Sequence, residues 1–315
     1  MNVTRGYLSG PLRPYPAATI GNFDGHHIGH RTLLQAVVQA ARKADGTAVV
    51  LTFDPHPVKI LAPDVELRFL TSPEEKLARF EAAGIDEVVF LEFTEAFAKL
   101  SPEAFVEQVL FSGLRLRELF VGQHFAFGHK RVGKIADLVA LGGRYGLVVN
   151  PVPPVMFDGG IVSSTRIRQL IQGSNVSAAA ALLGRQYAMT GIVMPGAQRG
   201  QALGWPTANL RLPPDRVVPP DGVYAVVAVV NERRHDAVAY IGKRPTFDAG
   251  ERLLEVYLLE GAHELYGQTI TVEFIERVRG DMRFGGGDEL SRQIASDVAS
   301  ATAMLRRHHE SIGAR

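Results

Sequence analysis

Cysteine is absent from the 315 residues. That removes disulfides, zinc-thiolate centres and cysteine nucleophiles at once. A surplus of charge is missing as well, since 34 Lys and Arg face 33 Asp and Glu for a formal net charge of +1. So even a balance gives no global basic surface for nucleic acid. No run of 18 apolar residues occurs, and Met1 to Pro16 does not read as a basic segment followed by an apolar core. Neither a membrane span nor a signal peptide is therefore expected. Internal repeats and low-complexity tracts are not evident. The composition predicts a cytoplasmic protein, without membrane or nucleic-acid partners, long enough for two domains with a core in each.

The most informative stretch that is present is Gly21-Asn22-Phe23-Asp24-Gly25-His26-His27-Ile28-Gly29-His30. Ala17 to Ile20 reads as a short buried strand leading into it, and Leu33, Leu34, Val37, Val38 and Ala41 follow at helical spacing. Gly21, Gly25 and Gly29 let the backbone turn tightly and approach a ligand. The unpaired N–H groups of a helix start favour an anion. His27 and His30 would project from one face of the first turn, where imidazoles donate to phosphate oxygens and stabilise developing charge. The spacing by itself also fits half of a metal site or a plain helix surface.

From Ala17 to about Ile171, short apolar runs alternate with helical patterns. Strands are expected at Ala48 to Phe53, Glu87 to Leu91, Glu118 to Val121 and Leu147 to Val149, with helices at Pro73 to Ala83, Pro102 to Leu114 and Lys134 to Tyr145. That alternation predicts an α/β domain, Rossmann-like, with a doubly wound parallel sheet and ligands at the strand C-terminal ends. Val176 to Leu183 reads as a short helix at the boundary, and the division is placed at 1–182 and 183–315. The second part is β-rich: Tyr187 to Met194, Gly222 to Val230, Ala237 to Ile241, Leu253 to Leu259 and Thr269 to Val278 are strand candidates between Gly, Pro and Asp turn signals. An antiparallel barrel is expected. Leu290, Ile294, Val298, Ala301 and Leu305 then form the stripe of one closing helix.

Other stretches carry chemistry with bland alternatives beside them. Ser163-Ser164-Thr165-Arg166-Ile167-Arg168 sits at a helix start, which Ser163 or Ser164 can cap, while Thr165 and the planar fork of Arg168 suit a triphosphate. Thr52-Phe53-Asp54-Pro55-His56-Pro57 enforces a turn after a strand. Phe125 and Phe127 alternate, so one belongs to the core and the other is free to meet a flat ring. Gly196, Gly200 and Gly204 precede Thr207 and Asn209, whose oxygens suit Mg²⁺, although a turn with a capping Thr explains the same residues. Glu255 faces opposite to Leu254 and Val256, which by itself indicates a solvent-facing acid.

Taken together, these motifs resemble a known family. The first matches the G-x-F-D-G-x-H-x-G-H signature of HxGH nucleotidyltransferases, more narrowly bacterial FMN adenylyltransferases, with His27 and His30 on its two histidines. Val162 to Arg168 is similar to the accompanying I-S-S-T-x-I-R, Phe53 to Pro57 to F-D-P-H-P, and Gly122 to Gly128 to G-x-[DN]-F-x-F-G. In the β-rich part, residues 200–209 resemble G-R-x-L-G-[FY]-P-T-A-N of riboflavin kinases, followed by matches at Asp221 to Tyr224, Ile241 to Phe247, Leu265 to Gly267 and Arg279 to Phe284. Three departures stand out: His124 where Asp or Asn is usual, Gln201 where Arg is usual, and Glu260 for Asp.

The resemblance covers roughly residues 15 to 308 and implies a bifunctional riboflavin kinase and FMN adenylyltransferase of the prokaryotic FAD synthetase type. Riboflavin, FMN and ATP would be substrates, with Mg²⁺ as cofactor. It implies that His27, His30 and Arg168 stabilise the pyrophosphate leaving group. Gly21 to Gly25, Gly29, Ser163 to Thr165, Gly196, Gly200 and Gly204 would hold nucleotide phosphates. Asp54, His56, Phe125, Phe127 and Arg279 would lie at flavin, Thr207 and Asn209 at the metal, and Glu255 would be the general base of the kinase. Two rival readings remain. One module is inactive, with His124 or Gln201 as the cause, or the chain is a non-enzymatic nucleotide- or RNA-binding protein. Against the latter, the aromatic-basic interleaving that single-stranded RNA needs is absent.

Overall fold

The computed structural model describes residues 1–7, 13–194, 204–243, 252–260 and 265–313. It divides into two compact units, Met1–Ser164 and Thr165–Arg315.

The first unit is built on a six-stranded sheet of β1 (Asn2–Arg5), β2 (Pro16–Ile20), β3 (Thr47–Asp54), β4 (Glu87–Glu92), β5 (Glu118–Gly122) and β6 (Val148–Val152), in the order β1-β4-β3-β2-β5-β6. Every pairing is parallel. A parallel sheet needs cover on both faces, and its residues alternate accordingly. Ala18, Ile20, Val49 and Leu51 pack with Val106, Val109, Leu110 and Leu138 on one side. Ala17, Ala48 and Val50 pack with Leu34, Val37, Ala41 and Phe80 on the other. The helices Ile28–Lys43 and Pro73–Ala82 cover the second face, and Ile135–Arg144 helps to cover the first. The strand order reverses at β2, with β3 on one flank and β5 on the other. Such a switch point leaves a crevice at the strand C-terminal ends, and the histidine motif begins where β2 stops. The expected doubly wound sheet is found.

Some details differ from the sequence expectation. The helix at Pro102 to Leu114 consists of a short α-turn, Pro102–Ala104, running into a π-helix, Phe105–Gly113. A small hairpin, β7 (Met156–Phe157) with β8 (Gly160–Ile161), precedes the serine-rich motif.

The second unit contains a closed barrel of β9 (Tyr187–Met194), β10 (Ala208–Arg211), β11 (Gly222–Val230), β12 (Arg233–Lys243), β13 (Arg252–Leu258) and β14 (Thr269–Gly280), in the order β10-β13-β12-β11-β14-β9. All its pairs are antiparallel. Closure leaves no exposed sheet edge. The helix Gly287–Gly313 lies on the outer wall, where Ala301 and Leu305 pack with Val223, Ala225, Val227 and Ile275. The helices Ser164–Gln172 and Val176–Leu183 also belong to this unit by compactness.

Candidate functional site

At the end of β2 the chain turns through a strained loop. Phe23 and His26 have φ of 51° and 42°, beside Gly25 at 83°, and left-handed non-glycine residues persist only where their surroundings impose them. Asp24 imposes this one. Its buried carboxylate accepts from the N–H groups of Leu70 and Thr71 at 3.0 and 3.1 Å and from the Thr71 hydroxyl at 3.2 Å, while Gly25 N–H donates to the Thr71 oxygen at 3.1 Å. The Asp24 carbonyl also accepts from the Ser164 hydroxyl at 2.7 Å. Asp24 therefore stitches the histidine loop to two segments distant in sequence.

His27 is the N-cap of the helix Ile28–Lys43, its Nδ1 accepting from His30 N–H at 3.2 Å. With Nδ1 accepting, a neutral His27 carries its proton on Nε2, which is the donor a phosphate needs. The two rings stack at 3.6 Å, and Phe23 meets His30 edge-on at 5.1 Å. A β-carbon at Gly29 would come within 3.3 Å of the His27 ring, so glycine there makes room for the cap. Burial first, then the proximity of His27, His26 and Lys76, holds His30 well below the ordinary histidine range. His30 is thus a neutral imidazole. Its Nδ1 and the Asn22 Oδ1 are buried polar atoms without a protein partner among the described residues.

Gly21, Ser163 and Ser164 lie beside this loop in sequence or by hydrogen bond, and Ser164 opens the helix Ser164–Gln172 as expected. Thr165 and Arg168 lie in its first two turns, three residues apart and hence on one face. Past β3, Asp54 pairs with Arg5 at 2.7 Å, and His56 caps the turn Pro57–Leu61 through Nδ1 to Val58 N–H at 3.2 Å. Of the flanking aromatics, Phe127 is buried against Phe105, while Phe125 is half-buried and parallel to Phe127 at 5.9 Å. His124 is exposed on the turn after β5.

Two residues near this site escaped the sequence reading, because nothing in the motif points to them. Thr71 is the partner of Asp24 described above. Lys76 reaches from the helix Pro73–Ala82 to the Asn22 carbonyl and the Thr52 hydroxyl, each at 3.5 Å, with its Nζ over the Phe90 ring at 5.9 Å. Thr52 and Phe90 are register partners near the ends of β3 and β4. Burial pushes the Lys76 ammonium below its ordinary value, against the attraction of Asp24 and Asp54.

In the barrel, register does the assembling. Asn209 pairs with Glu255, Glu255 with Tyr240, Tyr240 with Val223, and Val223 with Arg279. Directly opposed residues share a face, so these five form one row along the outer wall. Leu254 and Val256, buried at 1% exposure, point the other way. The Thr207 hydroxyl donates to Glu255 Oε2 at 3.5 Å, and Asn209 Nδ2 donates to the Thr207 carbonyl at 3.5 Å. Tyr240, unanticipated from sequence, donates to Asp281 at 3.0 Å, and burial together with that bond keeps its phenol protonated.

Arg279 stands at the other end of the row, roughly 14 Å from Glu255 by strand spacing. Its guanidinium bonds both oxygens of Asp297 at 2.8 to 3.0 Å and the Gly280 carbonyl at 2.8 Å. The structure thus brings Thr207, Asn209 and Glu255 together and places Arg279 apart, tied to the C-terminal helix. Gly204 adopts φ of 82° at the start of the described segment. Gly196, Gly200 and Gln201 lie outside the described residues.

A family model for FAD synthetase matches residues 13–166, and one for riboflavin kinase matches residues 183–305. The bifunctional riboflavin kinase/FMN adenylyltransferase of Escherichia coli is 39% identical over 90% of each chain. Its counterpart in Haemophilus influenzae is 36% identical over 92% of this chain and 94% of its own. A solved structure from Streptococcus pneumoniae, described as a macrolide-efflux protein, superposes with a TM-score of 0.85 at 31% identity, covering 96% of this chain and 99% of that one. With both domain types present in order and some 90% of its length matched, the chain belongs to the bifunctional riboflavin kinase/FMN adenylyltransferase family.

Proposed function

We propose that the chain converts riboflavin to FMN on its barrel and FMN to FAD on its α/β module, using ATP in both reactions, with the modules divided at 182/183. The observation that carries the reading is the stacked His27–His30 pair at the sheet's switch point. One imidazole has its Nδ1 committed to a helix cap and the other is held neutral. Both can then donate to phosphate oxygens without a change of protonation.

For adenylyl transfer, an FMN phosphate oxygen forms a bond to the α-phosphorus of ATP, and the bond to the β-phosphate breaks with its electron pair on pyrophosphate. The module's work is placement and charge stabilisation. His27 and His30 meet the charge developing on the leaving group, with Ser163, Ser164, Thr165 and Arg168 gripping the triphosphate. Asp24 acts indirectly by setting the loop. Asp54, His56 and Phe125 lie on the flavin side, with Phe127 supporting Phe125 from the core.

For phosphoryl transfer, Glu255 accepts the proton of the ribityl 5′-hydroxyl as that oxygen bonds to the γ-phosphorus of ATP, and the bond to the β,γ-bridging oxygen breaks with its electron pair on ADP. Thr207 orients the carboxylate through its hydroxyl. The hydroxyl and amide oxygens of Thr207 and Asn209 are hard donors that fit Mg²⁺. When bound, the ion neutralises phosphate charge.

The test supplies riboflavin, ATP and Mg²⁺ and separates the products. His30→Ala should abolish FAD formation and spare FMN formation, and Glu255→Ala should stop FMN formation while FMN supplied directly still yields FAD. An active His30→Ala adenylyltransferase would remove the histidines from the mechanism. FMN without FAD from the unaltered chain would mark the first module as inactive, and no FMN at all would mark the second. No helix among the described residues is long and apolar enough to cross a membrane.

A further inference from the structure

We propose that Lys76 binds the phosphate of the acceptor, the phosphomonoester that attacks ATP in the α/β module. The inference rests on the adenylyl-transfer reading above and extends it to a residue outside every motif.

Three observations place Lys76 there. First, its Nζ contacts the Asn22 carbonyl, just past β2, and the Thr52 hydroxyl near the end of β3. It therefore stands between the loop bearing His27 and His30 and the Asp54 to Pro57 turn. An acceptor phosphate has to occupy that interval, since its oxygen must reach the α-phosphorus beside the histidines while its flavin extends toward the turn.

Second, the ammonium is weakly held for a cation taken out of water. Both hydrogen bonds are 3.5 Å long, and among the described residues no carboxylate comes within ion-pair distance. Burying a charge is costly without a close partner, and burial lowers its proton affinity here. A phosphate dianion is the partner that would relieve this cost. Third, the cation has a firm mount. The helix Pro73–Ala82 begins with a reciprocal capping box between Ser72 and Glu75 and follows directly on Leu70 and Thr71, which clasp Asp24. The lysine and the histidine loop are thus braced by the same turn.

In the reaction Lys76 keeps its proton. A phosphate oxygen of the acceptor forms the new bond to the α-phosphorus and pyrophosphate leaves with the electron pair. The ammonium holds the acceptor as the dianion and aims it. It also discriminates, because an unphosphorylated flavin offers it no anion.

The experiment uses the full chain with FMN, ATP and Mg²⁺, reading FAD by chromatography, with FMN formation from riboflavin as the internal control. Lys76→Met keeps the aliphatic stem and removes the charge, whereas Lys76→Arg keeps the charge. Losing a hydrogen bond between charged groups should lower kcat/KM for FMN by about 10- to 100-fold, with KM for ATP within twofold and FMN formation unchanged. The acid limb of the pH profile, set by a phosphate whose second pKa is about 6, should move to higher pH in Lys76→Met. Lys76→Arg should recover most of the loss and restore the limb.

A kcat/KM for FMN within threefold of wild type in Lys76→Met overturns the proposal. So does a loss that falls on KM for ATP, or one that leaves the acid limb where it was. If Lys76→Met proves unfolded, Lys76→Gln, which also removes the charge, is read by the same criteria: a kcat/KM for FMN within threefold of wild type or an unmoved acid limb overturns the proposal, and a loss on FMN with the limb moved to higher pH supports it. An unaltered chain that forms no FAD would overturn the parent reading as well, whereas FAD formation indifferent to Lys76 would overturn only this inference.

Discussion

Asp297→Ala is the sharpest test of how the barrel is held together. Asp297 is 5% exposed and Arg279 17%, and the two share a bidentate contact that joins β14 to the C-terminal helix. Removing the carboxylate leaves a largely buried guanidinium with the Gly280 carbonyl as its remaining hydrogen-bond acceptor and also strips Gln293 of its bond to Asp297. Breaking such a pair costs about 3 to 5 kcal/mol, and some water can reach Arg279, so about 3 kcal/mol is expected. In a unit of this size each kcal/mol moves the melting point by roughly 2 to 4 °C, hence a fall of roughly 6 to 12 °C. Because a chain of two units need not unfold in one step, each activity should report its own module. The temperature of half-inactivation for FMN formation should fall by that amount, while FAD formation from FMN should be unmoved. Replacing both partners by apolar residues, as Arg279→Met with Asp297→Leu, should recover at least half the loss, since an apolar pair strands no charge. A shift below about 2 °C in Asp297→Ala, or no recovery in the double variant, would refute the brace. The double variant's KM for riboflavin at low temperature also separates the brace from the flavin contact expected from sequence: a brace alone leaves it unchanged.

Two further outcomes follow from the histidine loop. His30 is neutral when folded and takes a proton near 6.5 when unfolded, so the unfolded state binds more protons below that value and stability falls with falling pH. The loss is about 1.4 kcal/mol per pH unit below 6.5, continuing down to the depressed folded value. Urea titrations across that window should show the slope, and His30→Gln should flatten it; an unchanged slope in the variant would assign the effect elsewhere. Gly29→Ala should press a methyl group on the His27 ring and lower FAD formation at least tenfold by disturbing the cap, whereas Gly143→Ala, exposed in a helix with open space around it, should stabilise by about 0.5 to 1 kcal/mol without changing either activity. Equal effects of the two alanines on FAD formation would show that the ring needs no such room.

Elements long enough to show a pattern were legible in the sequence, and short ones were not. Tyr187–Met194, Gly222–Val230 and Val176–Leu183 are found with the bounds expected, because each presents a sustained apolar pattern between clear breakers. Asn2–Arg5 and Ala208–Arg211 are four residues each and carry no such pattern. They become strands only because β4 and β13 offer them partners. The same limit governs the sites. Histidines, glycines and the Ser-Ser-Thr run announce themselves by residue type and spacing. Thr71 and Lys76 do not, since their relation to Asp24 and Asn22 spans 47 and 54 residues. Tyr240 needed the register of β12 on β13, and Asp297 needed the helix laid on the barrel.

That last dependence has a physical origin in the barrel itself. Tyr187, Tyr224 and Phe274, each no more than 1% exposed, pack ring against ring on the face of its strands opposite the C-terminal helix. Closure also removes the strand edges, which leaves the outer wall and the end loops as the places for chemistry. The row of Asn209, Glu255 and Tyr240 lies on that wall, and so does the apolar patch of Val223, Ala225 and Val227 under the C-terminal helix. Tyr240 belongs to both, packing against the helix-covered cluster while standing opposite Glu255. The helix that stabilises the barrel therefore also borders its candidate base, so a substitution that shifts the helix reaches Glu255 through Tyr240. In the α/β module the crevice is created by strand order, and Ser164, at the start of a later helix, fastens the Asp24 carbonyl beside it. The two sites thus differ in what holds them: one depends on the sheet's topology and the Asp24 clasp, the other on the seating of the C-terminal helix.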